Sequence, residues 1–353
     1  MIPECCTAIF DALPAPPLPF LPAFLCGLFF ATAMLVYLYH KQTKKPYKII
    51  FIDILRRVFY LLPTTDHAES TECSNPDCVR CKQYSQLKIQ MVDKWKFLDP
   101  KHKKASSRIK AAVEKIQEEV ESYLEEEKVD ENISSEDSDS EESSYQKPTL
   151  FHLQQLAANP FWNDFDVFKL ETGLLQLNYK IIVTEFTRVF QALQNGDTWG
   201  WKLNDIKKGH WCIFPFIDQG VLNESNCRRC PNIASLLDNL PSIMKDCVFG
   251  NACFSLLYPD SCISPHYGPT NIRLRCHLGL HCPKGSWLDV HNKKYYWKEE
   301  GTLIFDDSYK HSATFQPQPD SARAIPRAIL MIDFWHPDIN TQEKYILLDL
   351  WSP

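Results

Sequence analysis

Between Ser264 and Leu280 the chain reads S-P-H-Y-G-P-T-N-I-R-L-R-C-H-L-G-L, and its residue types alternate. Ile272, Leu274, Cys276 and Leu278 fall on one face of a strand; Arg273, Arg275, His277 and Gly279 fall on the other. Alternation of period two is a strand signal, yet the polar face is unlike a solvated surface. Two guanidiniums and an imidazole in line suit a cavity built for anions. His266 sits in the loop just ahead of this strand. Two further pieces belong with it: Phe305-Asp-Asp-Ser-Tyr-Lys-His311, and the segment from Pro326 through Arg327 to Asp333-Phe-Trp-His-Pro337. Arg327 begins a second alternating run, Arg327-Ala-Ile-Leu-Met-Ile-Asp333, which fixes the direction of its side chain.

In this order, the His266 to Leu280 stretch, the run ending at His311 and the Arg327 to Pro337 segment resemble the aspartyl/asparaginyl β-hydroxylase family, and its membrane-anchored branch in particular. The strong motifs span residues 245–340, with a weaker likeness reaching back to 150. The resemblance implies the double-stranded β-helix of 2-oxoglutarate oxygenases, with Fe(II) as metal and 2-oxoglutarate and O2 as cosubstrates. It implies a reaction that consumes 2-oxoglutarate, releases succinate and carbon dioxide, and hydroxylates Asp or Asn side chains of protein substrates at Cβ.

The same resemblance assigns roles. His266 and His311 are the metal ligands. The wider superfamily adds a carboxylate two residues after the first His; here that position is Gly268, which matches a family whose site is two imidazoles alone. Arg327 with Ser255 is expected to hold the distal carboxylate of 2-oxoglutarate, and Arg275 with His277 to sit near its keto-acid end. Arg supplies the bidentate fork such a dianion needs. Arg323 is a rival to Arg327, because Phe315 to Ile325 forms a longer Pro-rich loop than the family's familiar enzymes carry. A family Lys two residues before Ser255 is replaced by Cys253. Arg273 is a candidate contact for an acidic substrate side chain, and Gln219 a weaker one on the substrate-side wall, against its reading as a surface turn residue. Asp307 is expected to cap a turn or orient a His, and the Asp333 segment to be structural. A second reading keeps the fold as a catalytically silent binding module.

These pieces need a scaffold, and the chain supplies one in stages. Its 353 residues suit one large domain with appendages. A net charge of −6 shows no basic excess of the kind nucleic-acid partners require. Fourteen cysteines would allow disulfides in an oxidising compartment, with no connectivity legible. After a short Pro-rich tail at 1–17, residues 18–39 carry no Asp, Glu, Lys or Arg, enough to cross a hydrocarbon core of roughly 30 Å. A single-pass anchor is therefore expected there. Lys41, Lys44, Lys45, Lys48, Arg56 and Arg57 follow it, so the positive-inside rule puts the remainder in the cytosol. The resemblance implies the reverse, a type II protein with its domain in the lumen of the endoplasmic reticulum; the sequons at Asn132 and Asn223 would be usable there.

Residues 40–127 read as juxtamembrane segment and helical stalk. Residues 49–63 suit an amphipathic helix. Cys73, Cys78 and Cys81 suit a disulfide-stapled turn or, with His67, a zinc site. Ile109, Val113, Ile116, Val120 and Tyr123 form a narrow apolar stripe, the mark of a stalk helix or short coiled coil. Residues 128–147, mostly Glu, Asp and Ser, read as a disordered linker. From 148 to 353 the composition is globular. The spacing predicts helices over 170–193 and 231–244, a strand and turn over 209–220 and a strand over 251–258; Cys227 and Cys230 suit half a metal site or, more simply, a local disulfide. Many short strands without alternating helices predict a mainly β, antiparallel double-sheet jelly roll with flanking helices.

Overall fold

The computed structural model describes residues 84–126, 146–163, 166–204, 206–317 and 325–353. The apolar stretch 18–39, the Cys73, Cys78 and Cys81 cluster, residues 128–145 of the acidic run and Arg323 lie outside them. Among the described residues, no helix is long and apolar enough to cross a membrane.

The strands are β1 (Lys202–Asn204), β2 (Trp211–Asp218), β3 (Val221–Leu222), β4 (Ala252–Leu257), β5 (Ser261–His266), β6 (Arg273–His281), β7 (Ser286–Val290), β8 (Lys293–Tyr295), β9 (Thr302–Phe305), β10 (His311–Phe315) and β11 (Arg327–Trp335). They form two antiparallel sheets. One runs β1-β2-β4-β11-β6-β9 with β3 also on β2; the other runs β5-β10-β7-β8. From β4 onward the chain steps back and forth between them, so that β4 neighbours β11 and β5 neighbours β10. First and last strands thus lie side by side in each sheet, which is the double-sheet jelly roll.

β6 and β11 are the centre of the large sheet and are buried on both faces, as strands covered on two sides must be. Leu274, Cys276, Leu278 and Leu280 of β6 join Phe254, Leu330 and Phe334 in a core under the helices. The opposite faces of β4, β6 and β11 look into the space between the sheets, lined by Trp211, Leu288, Trp297, Phe305 and Met331. Alternation along β6 therefore sends its apolar residues to the helices and its cationic ones to the interior.

The helices are α1 (Tyr84–Phe97), α2 (Pro100–Ala105), α3 (Ser107–Glu126), α4 (Lys169–Leu177), α5 (Tyr179–Gln194), α6 (Glu224–Arg229), α7 (Pro231–Asp238) and α8 (Thr341–Leu350). The single helix expected over 170–193 is two. Asn178 breaks it, donating its side-chain amide to the Leu174 carbonyl at 2.8 Å in competition with the backbone ladder. The helix expected over 231–244 stops at Asp238, because Pro241 excludes helical backbone at the residue before it. The Cys227–Cys230 disulfide is not formed. Both thiols are free, one within α6 and one at its end, and burial pushes that of Cys230 up to about 12.

The largest departure concerns the stalk. Ile109, Val113, Ile116 and Val120 are all buried, packed with Met91 and Trp95 of α1 against Phe151, Phe249, Leu347 and Trp351. Arg108 forks onto Glu343 of α8, with Nε to Oε1 at 2.7 Å and Nη2 to Oε2 at 2.6 Å. The narrow stripe finds its partner within the domain, so α1 to α3 belong to the globular unit, and no coiled-coil partner is required.

Candidate functional site

One cavity opens between the sheets, and its wall includes His266, His311, Arg275, His277, Ser255 and Arg327. His266 is the last residue of β5 and not a loop residue; the pairing of β5 with β10 sets it directly opposite His311. Their rings lie 4.1 Å apart, centroid to centroid. Each ring makes the same local bond. His266 Nδ1 donates to the Ser264 carbonyl at 2.8 Å, and His311 Nδ1 to the Tyr309 carbonyl at 2.9 Å. A carbonyl can only accept, so both neutral rings carry the proton on Nδ1 and the lone pair on Nε2. Backbone anchoring of one nitrogen to present the other is how metal-binding imidazoles are held.

No acid completes this pair from residue 268. A Cβ there would lie 2.7 Å from Asp307 Cγ and 2.8 Å from its carbonyl oxygen, and Gly268 N already donates to that carbonyl at 2.6 Å. Among the described residues, no group of three or more His, Cys, Asp or Glu gathers around a metal position. Of the three imidazoles on the cavity wall, His266 and His311 face each other, and His277 stands apart on β6.

Behind the histidines, β6 and β11 build a closed charge network. Asp333 faces Arg275 across the strand pair and takes its fork, Nε to Oδ1 at 2.8 Å and Nη2 to Oδ2 at 3.0 Å. Arg275 also reaches Asp307 Oδ2 at 3.3 Å. Arg273 donates from Nε to Asp307 Oδ1 at 3.2 Å and from Nη1 to the Phe249 carbonyl. Two buried guanidiniums thus meet two buried carboxylates. Burial alone would raise Asp307, but Arg273 and Arg275 outweigh it and hold the carboxyl well below the usual range. The Asp307 carboxylate is thus engaged by the two arginines, with His311 adding a weaker electrostatic pull. The reading of Arg273 as a substrate contact gives way: it is off the cavity wall, and its guanidinium is committed to Asp307 and Phe249. Beside this network, Asp306 accepts from Gln146 and from the Ser308 amide, and burial pushes its carboxyl up to about 7.

The other end of the cavity is built differently. Arg327 is 2 % exposed. Its Nη1 donates to the Ser255 carbonyl at 3.3 Å and Oγ at 3.4 Å, its guanidinium lies 4.6 Å above the Trp297 ring, and its Nε is buried with no partner. No carboxylate pairs with it among the described residues, and burial pushes it down to about 10. His277, also buried, is held well below its ordinary value by burial and then by Arg327 and Arg275. Cys253 lies buried among the apolar side chains between the sheets and off the cavity wall.

Gln219 is not at the site. With Gly220 it forms the turn between β2 and β3, both residues at positive φ (50° and 82°), the two-residue hairpin turn that suits strand twist. Two residues missed in the sequence are at the site: Trp211 and Trp297, both on the cavity wall. No period or motif marks them; each acts on a residue distant in the chain.

A family model described as aspartyl/asparaginyl beta-hydroxylase matches residues 176–337. Mouse aspartate beta-hydroxylase domain-containing protein 2 is 35% identical over 285 residues, covering 80% of this chain and 77% of its own length. Its human counterpart is 40% identical over 211 residues, 60% of this chain and 56% of that protein. Human aspartyl/asparaginyl beta-hydroxylase is 33% identical over 198 residues, 56% of this chain and 25% of that protein. Among solved structures, a Pseudomonas putida prolyl-4-hydroxylase is similar at a TM-score of 0.26 and 10% identity, over 47% of this chain and 87% of that one.

Proposed function

Since the chain belongs to the aspartyl/asparaginyl β-hydroxylase family, we propose that it is a membrane-anchored Fe(II)- and 2-oxoglutarate-dependent hydroxylase of Asp or Asn side chains in protein substrates. The observation that carries this reading is the coexistence, in one cavity, of a paired-imidazole site and a buried guanidinium with no acid of its own. An isolated buried cation is costly, and a bound carboxylate would relieve it.

The residues present fit the group. His266 and His311 would hold iron through Nε2, their Nδ1 protons already engaged with the backbone. When bound, iron with 2-oxoglutarate supplies the oxidising chemistry for hydroxylation by O2. The chain's own residues bind and orient. Arg327 and Ser255 would take one carboxylate of the cosubstrate, and His277 would donate a hydrogen bond from Nε2. Arg275, neutralised by Asp333 and Asp307, shapes the wall near the imidazoles and offers no unmatched charge. Leu288, Phe305 and Ile329 add apolar surface to the wall.

Calorimetric titration of the full chain with Mn(II) and then 2-oxoglutarate tests this. Binding of both, abolished by His266→Ala with His311→Ala, is the expected result. Metal binding that persists in that double variant, or 2-oxoglutarate binding indifferent to Arg327, would sink it. Binding without iron-dependent succinate release would leave the silent-module reading. The anchor at residues 18–39 and a lumenal domain are part of the proposal, supported by the uncharged span and the sequons. Asn223 is half-buried at the start of α6, and its glycosylation in cells would fix orientation; an unmodified Asn223 beside accessible cytosolic tags would reverse it.

A further inference from the structure

We propose that two tryptophans, Trp211 and Trp297, set the hydrogen-bond polarity of this cavity, so that Ser255 and His277 can only donate and the site accepts carboxylates while rejecting amides. The inference deepens the 2-oxoglutarate reading and rests on it for the ligand's identity.

An indole N–H donates and never accepts. Trp297 Nε1 donates to His277 Nδ1 at 3.2 Å. That nitrogen must then be bare, and in the neutral ring the proton sits on Nε2. His277 Nε2 is buried and has no partner in the protein. Burial and the neighbouring guanidiniums keep the ring neutral, so Nε2 is a committed donor. Trp211 Nε1 donates to Ser255 Oγ at 3.0 Å, and Arg327 Nη1 reaches the same oxygen at 3.4 Å. A hydroxyl has two lone pairs. With both taken, Ser255 has only its proton left to offer. Arg327 has no acceptor by nature, and its Nε is another unpartnered buried donor.

Two groups that are ordinarily ambivalent, a hydroxyl and an imidazole, have thus lost the option of accepting. A carboxylate, with acceptors only, satisfies the set. A terminal amide brings N–H groups that would find no acceptor, and an unmet buried donor costs about 1–3 kcal/mol. Trp297 has a second part, since its ring also lies under the Arg327 guanidinium and ties the two donors to one support. Neither tryptophan is placed to react; both act through the residues they contact.

The test uses the full chain and the variants Trp297→Phe and Trp211→Phe, which keep an aromatic ring and remove the N–H. Ring nitrogen chemical shifts of 15N-histidine, with His277 assigned by loss of its signal in His277→Asn, report the tautomer without any ligand. The Nε2–H form is expected in the native chain and a shift toward Nδ1–H in Trp297→Phe. Affinities for 2-oxoglutarate and for its 5-amide, measured with Mn(II) present, report the consequence. The native chain is expected to favour the acid by about 10-fold to 100-fold. Trp211→Phe is expected to narrow that ratio about 10-fold, because Ser255 regains a lone pair; Trp297→Phe is expected to weaken acid binding by a similar factor. An Nδ1–H form in the native chain, or an acid-to-amide ratio unmoved in Trp211→Phe, overturns the proposal. If the native chain binds neither ligand, the 2-oxoglutarate reading fails, and the tautomer measurement still decides the part played by Trp297.

Discussion

Arg275 and Arg327 are both buried on the wall of one cavity, yet they answer to different demands. Arg275 forks onto Asp333 and touches Asp307, and with Arg273 it forms a set of two cations and two anions that sums to zero. Arg327 has a serine, an indole face and no carboxylate. The first is held together by the fold and holds the fold together. The second is left without a counter-charge among the described residues, which is what the proposed cosubstrate carboxylate would supply.

That difference can be broken from either side. The largest effect is expected from Arg275→Met, which strands Asp333 and Asp307 with one cation between them; removing one partner of a buried pair costs about 3–5 kcal/mol, read as a fall in the urea midpoint. Arg327→Met is expected to do the opposite: no loss of stability, and 2-oxoglutarate binding weakened about 100-fold, which is about 2.7 kcal/mol, by calorimetry. If both variants destabilise equally, the contrast between the two arginines is wrong. Next is Gly268→Asp, which offers the missing acid but drives a side chain into Asp307. It is expected to cost about 1–3 kcal/mol, as overpacking does, without tightening Mn(II) binding. The last effect is read against pH and concerns Asp306. Its folded pKa, about 7, lies above the value it has when unfolded, so the folded state binds the extra proton between those values. Stability should therefore fall as pH rises from about 4 to 7, and Asp306→Asn should flatten that slope in a series of melts across the range.

Much of this was visible in one dimension. Period-two alternation places Arg273, Arg275 and His277 on one face of β6, and the structure turns that face inward. The histidines were marked by their motifs, and β5 and β10 bring them together. What alternation does not say is which arginine is satisfied. Asp333 is plain in the sequence, but only the register of β11 against β6 reveals that it faces Arg275. Trp211 and Trp297 were silent for the same reason: their partners are 44 and 20 residues away. An apolar stripe says that a helix is covered and not by what, so the sequence alone does not separate a stalk from a docked helix; Phe151, Phe249 and Trp351 cover this one.

That cover has a practical consequence for anyone trimming the gene. A fragment begun at Pro148 would discard α1 to α3, turning the ring cluster of Phe151, Phe249 and Trp351 toward solvent and leaving Glu343 without its arginine. Sticky, poorly soluble material would be the natural outcome, easily mistaken for a dead enzyme, so the smallest piece worth expressing begins upstream of Tyr84.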